Sequence, residues 1–183
     1  MFAILTDKEI TFKDKGSTYY SYIYNIASID DVKKNIKNIS KKHQKSTHIC
    51  YGYRYLNSIN NIEEYCSDAR EPAGSAGLPI LNMLKSYDLI NTCIYVVRVF
   101  GGTKLGIPGL INIYSKVCKE IIQISTIKKW YITKTIKINY TYKEKGAIDH
   151  ILKVNKAKIL KENFALNISS TITINMENEM KLI

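Results

Sequence analysis

The chain has 183 residues, 45% of them apolar and 23% charged, enough to bury a core without disulfides or metal and too apolar for a disordered chain. Its net charge is +11 and its pI is near 9.4. Such charge is either an electrostatic footprint for RNA, DNA or an anionic membrane, or the product of a Lys-, Asn-, Ile- and Tyr-rich composition that AT-rich codons supply. Only Arg54, Arg70 and Arg98 are arginines, and phosphate readers favour arginine forks, so the second reading carries more weight.

The four cysteines, Cys50, Cys66, Cys93 and Cys118, form no CxxC pair. That pattern indicates neither a zinc knuckle nor a redox motif. No cofactor is expected, and the histidines at 43, 48 and 150 are too scattered for a metal cluster. The N-terminal "MFAILTDKEITF" lacks the basic and apolar regions of a signal peptide. "CIYVVRVF" is short and broken by Arg98, so it does not span a bilayer. The expectation is a cytoplasmic protein that does not engage a membrane. The sequence fixes no oligomeric state.

Taken in order, residues 17–26, "STYYSYIYNI", read as a strand. Ser28 then opens a helix, with Asp31 three positions on as in a capping box. Ile29, Val32, Ile36 and Ile39 give that helix an apolar face ending near Lys42. Residues 48–56 read as a second strand and "NSINNIEEYCSD" as a loop.

All three prolines (Pro72, Pro79, Pro108) and six of the nine glycines then fall between residues 72 and 109. Both residue types mark special backbone or close approach, so the unusual backbone is concentrated there. Within this region "LPILNMLKSY" reads as a helix with Pro79 in its first turn, and "NTCIYVVRVF" as a buried strand. "GLINIYSKVCKEIIQ" reads as a helix whose core face is Leu110, Ile113, Tyr114, Val117 and Ile121.

After Gln123 the character changes. "WYITKTIKINYTY" alternates as a half-buried strand, "GAIDHILKVNKA" fits a short helix, and "KILKENFALN" and "ISSTITINM" read as two more strands. Strand, helix, strand, strand is most of a ferredoxin-like unit, with its second helix and last strand missing or very short. The expected fold class is α+β in two domains, residues 1–125 and 126–183.

"SDAREPAGSAGLPIL" (67–81) and "RVFGGTKLGIPGL" (98–110) resemble the paired signature of the Impact/YigZ family. Upstream, His48, Cys50, Tyr53 and Arg54 in "THICYGYR", and the opening "KDKGSTYYSY", are similar to further family motifs. The resemblance spans about residues 13–124. It implies an N-terminal domain like domain 2 of ribosomal protein S5. It also implies a truncated ferredoxin-like C-terminal domain of the kind in elongation factor G domain V. Eukaryotic relatives regulate translation by binding an activator of an initiation-factor kinase. Residues 69 and 70 depart from the family pattern, with Ala69 and Arg70 where Asp and Gly are usual. Leu78 replaces a common basic residue, Val99 a Tyr, and Pro108 a Gly. An Arg at a Gly position is strained if positive φ is required.

The two loops supply the candidate ligand-binding residues: Arg54, Asp68, Glu71, Gly74, Ser75, Gly77, Arg98, Gly101, Gly102, Lys104, Gly106 and Gly109. Residues 74–77 are expected to open a helix with free N–H groups, an anion site. Gly101, Gly102 and Lys104 would bring backbone donors and an ammonium to a phosphate. On a structural reading, the glycines only make tight turns and Glu71 pairs with Arg98 or Lys104. No Walker or GxGxxG motif occurs. If the site is catalytic, Glu71 is the candidate base and Lys104 the electrostatic clamp.

The expected function is a translation-associated regulatory protein binding RNA or a phosphate-bearing ligand at these loops, with RNA, the ribosome or a translation factor as partner. The alternatives are an enzyme acting on a phosphorylated small molecule and a protein–protein adaptor.

Overall fold

The computed structural model describes residues 1–44 and 48–176. They divide into two compact units, Met1–Trp130 and the residues from Tyr131 onward.

The first unit is built on a five-stranded antiparallel sheet. Its strands are β2 (Lys8–Asp14), β3 (Ser17–Asn25), β4 (Ile49–Leu56), β5 (Ile62–Ser67) and β6 (Thr92–Val99), in the order β2-β3-β6-β4-β5. A two-residue turn at Lys15 and Gly16, both at positive φ, joins β2 to β3 with Asp14 opposite Ser17, as a twist-compatible hairpin requires. The short strands β1 (Phe2–Ile4) and β7 (Ile127–Lys129) pair with each other. That pairing holds residues up to Trp130 in the first unit, although the composition changes earlier, after Gln123.

Side-chain alternation divides this sheet into two faces. Tyr22, Tyr53, Tyr55, Cys93, Tyr95 and Val97 pack on one face with Val32 and Ile39 of helix α1 (Ile29–Lys42). Tyr19, Ile23, Cys50, Ile94 and Val96 pack on the other with helices α2 (Gly77–Ser86) and α3 (Gly106–Gln123). The first unit is therefore three layers, with α1 on one side and α2 and α3 on the other. Helix α1 begins as its sequence dictates: Ser28 and Asp31 form a reciprocal capping box.

The second unit contains β8 (Thr133–Tyr140), α4 (Lys145–Val154), β9 (Lys158–Phe164) and β10 (Ile168–Asn175). Its sheet runs β8-β10-β9, all antiparallel. A strand-helix-strand with the following strand inserted between its ends is three-quarters of a ferredoxin-like sheet. The expectation that the second helix and last strand are missing or very short concerns residues 177–183, which lie outside the described residues. The inner face carries Ile136, Ile138, Tyr140, Ile168, Ile172 and Ile174, with Leu152 of α4 buried. Both units are mixtures of helix and antiparallel strand, so the chain is α+β as expected.

Candidate functional site

The loop over residues 68–76 joins β5 to α2, and the loop over residues 100–105 joins β6 to α3. Two close approaches demand glycine. A Cβ on Gly77 would stand 2.7 Å from the Ser67 backbone, so α2 starts hard against the end of β5. A Cβ on Gly101 would stand 1.8 Å from the carbonyl oxygen of Gly16, so the second loop lies directly on the β2–β3 turn. Gly101 N–H also donates to Ser17 Oγ at 3.2 Å.

Asp68 organises the first loop. One carboxylate oxygen accepts the N–H groups of Ala76 and Gly77 at 2.9 and 2.8 Å, and the other accepts that of Gly74 at 2.9 Å. Ser75 N–H and Oγ both donate to the Pro72 carbonyl. The free N–H groups expected at residues 74–77 are therefore already engaged. The start of α2 binds an anion, but the anion is the protein's own carboxylate, which the positive end of the helix stabilises.

The two loops are tied by a buried ion pair. Arg98 Nη1 donates to both oxygens of Glu71, at 3.0 and 3.4 Å, and each side chain is only 9% exposed. Tyr114 of α3 donates to the same Glu71 oxygen at 3.0 Å. Cys50 completes the network, its thiol donating to the Asp68 carbonyl at 3.1 Å and lying 3.4 Å from the Tyr114 hydroxyl. His48 Nδ1 contacts the Ala69 carbonyl oxygen. Ala69 and Arg70, the departures from the family pattern, both stand at positive φ, +45° and +78°.

Burial dominates the electrostatics. It pushes the Cys50 thiol up to about 12, so Cys50 is a neutral packing group and no nucleophile near neutral pH. Burial, then Cys50 and Glu71, raises Tyr114 as well, keeping it a phenol. For Arg98, burial opposes the charge but its hydrogen bond to Glu71 and the neighbouring Tyr19 outweigh it, so its pKa rises.

Arg98 is only half satisfied. Its Nε and Nη2 are buried without a hydrogen-bond partner among the described residues. The guanidinium lies between two rings, 5.8 Å from the Tyr19 centroid and 5.4 Å from that of Phe100. Phe100 is 57% exposed, so one flank of the guanidinium is covered by a ring that faces solvent. Beyond it, Gly101, Gly102 and Lys104 are exposed, and Gly102 and Gly106 take positive φ. Among the described residues, Lys104 makes no ion pair and no side chain accepts a hydrogen bond from the first turn of α3, which contains no acid.

Asp68, Glu71, Gly74, Ser75, Gly77, Arg98, Gly101, Gly102 and Lys104 thus lie in, or at the ends of, the two loops joined by the Glu71–Arg98 pair. Gly106 and Gly109 lie in the first turn of α3. Arg54 is elsewhere. Near the far end of β4 its Nε donates to Glu64 at 2.8 Å and its Nη1 to the Leu89 carbonyl at 3.0 Å. Sequence reasoning did not place Cys50, Tyr114 or Phe100 in this site. Tyr114 carried a signal, since a hydroxyl on the core face of a helix needs a partner. Among the described residues, no group of three His, Cys, Asp or Glu could hold a metal, and no helix is long and apolar enough to cross a membrane.

Residues 15–122 match the model of the Impact N-terminal domain, which covers more than half of the chain and includes both loops. The chain belongs to the Impact N-terminal domain family. It is 28% identical to the IMPACT family member YvyE of Bacillus subtilis, over 83% of this chain and 69% of that one. It is 24% identical to YigZ of Escherichia coli, over 82% and 74%. A crystal structure of a hypothetical protein superposes with a TM-score of 0.68, covering 99% of this chain and 88% of its own at 18% identity. That likeness shows a shared fold.

Proposed function

We propose that this protein is a translation-associated regulator that binds RNA or another phosphate-bearing ligand at the second glycine-rich loop. Its Impact family membership supports the link to translation, because the eukaryotic relatives its motifs resemble act there. The observation that carries the binding reading is the half-satisfied guanidinium of Arg98. Two buried donors without partners cost free energy unless something completes them. They lie under the exposed ring of Phe100, on the strand that runs into the loop bearing the exposed Lys104 and then into the uncapped α3. On this reading one anion would be met by helix start, ammonium and guanidinium together. Because Asp68 occupies the start of α2, the phosphate belongs to the second loop alone.

The test is a fluorescence titration of a labelled single-stranded RNA of about 20 nucleotides with the full chain. Inorganic phosphate serves as competitor, and salt runs from about 50 to 200 mM. Affinity is expected to fall with salt. Lys104→Ala is expected to lower it several-fold and to flatten the log–log salt slope by about 0.7, the value for one lost phosphate contact on a single strand. Added to a cell-free translation reaction, the wild-type protein is expected to change the yield and the variant to change it less. Salt-independent binding, equal binding by both proteins, or an unaffected translation yield would sink the reading. The same loops do not favour catalysis: Glu71 is held by Arg98 and Tyr114, and Ser75 Oγ donates to the Pro72 carbonyl instead of meeting a base.

A further inference from the structure

The second unit segregates its charge. Residues 131–176 contain eight lysines but only three acids, Glu144, Asp149 and Glu162. Every one of those acids is engaged. Glu144 accepts the N–H and the hydroxyl of Thr141 in the turn before α4. Asp149 pairs with Lys145 on α4. Glu162 points to the inner face, where it meets Tyr140, Ser170 and Lys145.

Among the described residues, the opposite face of the sheet has no acid. The register aligns Lys137, Thr171 and Lys161 across the three strands, and beside that row it aligns Asn139, Ser169 and Asn163. After a β-bulge that leaves the exposed Leu160 without a partner, the next row ends in Lys158, opposite Thr173. Every position of these rows is Lys, Thr, Ser or Asn. None is apolar and none is aromatic. Lys137, Lys158 and Lys161 are exposed and make no ion pair among the described residues. With strands about 4.8 Å apart, Lys137 and Lys161 flank the central strand at about 10 Å, near the Debye length at physiological salt. A face that only keeps a small unit in solution interleaves both signs, whereas here the strand acid, Glu162, lies on the inner face and the other two acids lie in the α4 turn and on α4.

We infer that this outer face binds the sugar–phosphate backbone of an A-form RNA helix. The lysines supply the electrostatic term. The hydroxyls and amides of Thr171, Thr173, Asn139 and Asn163 match the 2′-hydroxyls and phosphates along the wide, shallow minor groove of A-form RNA. The absence of any ring argues against a single strand, whose proteins stack bases on aromatic side chains. The face is independent of the glycine-rich loops.

The test is a binding titration of the full chain with a 20-base-pair RNA duplex, a DNA duplex of the same sequence and one RNA strand alone. The wild type is expected to prefer the RNA duplex. The triple variant Lys137→Glu/Lys158→Glu/Lys161→Glu is expected to lose at least tenfold in duplex-RNA affinity and to show a flatter salt slope. Should that variant fail to fold, the corresponding triple Lys→Gln variant is expected to lose severalfold. The single-strand affinity that Lys104→Ala lowers reports on the loops and the duplex affinity that the triple variant lowers reports on this face, so failure at the two sites reads out separately. Equal duplex binding by wild type and triple variant would overturn the inference. So would a wild-type preference for the DNA duplex or the single strand, or a loss confined to an acidic polypeptide such as polyglutamate.

Discussion

Arg70 stands at φ +78°, a conformation in which an L side chain crowds its own backbone. The first loop nonetheless keeps its shape, because Asp68 draws Gly74, Ala76 and Gly77 onto one carboxylate and Arg98 holds Glu71. Strain at one residue is offset by a charge-assisted cap a few residues away. Arg70→Gly removes the strain and is expected to stabilise the fold by about 1 kcal/mol, read as a higher urea midpoint at unchanged m-value; a lower midpoint would mean that the Arg70 side chain contributes more than its backbone costs. Asp68→Ala is expected to cost about 2–3 kcal/mol, since it leaves three donors without their charged acceptor at the head of a helix. An unchanged midpoint would show that water caps α2 equally well.

Among the described elements, α1 is the helix that packs on the face bearing Tyr22, Tyr53, Tyr55 and Tyr95, and its fully buried anchors are Val32 and Ile39. Ile39→Ala is expected to cost about 2–4 kcal/mol through lost burial and the cavity left behind, measured by chemical unfolding. A loss below about 1 kcal/mol would mean that the tyrosines close over the gap. Helix α1 was also the most legible element in the sequence, with its Ser28–Asp31 cap and its apolar spacing both present. Helices α2 and α3 and strands β3, β4, β6, β8, β9 and β10 were readable for the same reason, since each carries its own period. What was not readable depends on distant partners. Strand β5 has acids at Glu63 and Glu64, and those acids make sense only once Tyr55, Arg54 and Lys85 lie across from them. Strands β1 and β7 are three residues each and exist by pairing across more than a hundred positions of chain. The site behaved likewise. Its loops were marked by glycine and proline, but no local pattern showed that Asp68 would consume the donors of α2 or that Arg98 would be left with two unmatched.

On the scale of the whole molecule, the composition that makes the chain basic also gives it fourteen tyrosines, and the fold uses most of them as core and sheet packing while Tyr131 and Tyr142 stay exposed. Tyr19, Tyr95 and Tyr114 are fully buried, and Tyr24, Tyr51, Tyr53, Tyr65 and Tyr95 form a run of ring contacts across the sheet. Burial raises the pKa of Tyr19, Tyr22, Tyr24, Tyr51, Tyr53, Tyr95 and Tyr114. The hydrogen bond to Glu63 raises Tyr55 to about 12, and burial does the same for Cys50. The consequence for stability has a definite sign. In the unfolded chain thiols ionise near 8.5 and phenols near 10, whereas in the fold these groups keep their protons to higher pH. Above those values the folded state binds more protons than the unfolded one, so stability falls as pH rises. It is fully present below about pH 8 and is lost progressively as pH climbs through about 10 towards 12. Urea midpoints measured between about pH 7 and 11 are expected to hold steady at first and then drop. Tyrosinate absorbance of the native protein should stay suppressed until unfolding begins. A midpoint that holds to about pH 11, or native tyrosines that titrate together near 10, would show that the aromatic core is wetter than its packing implies.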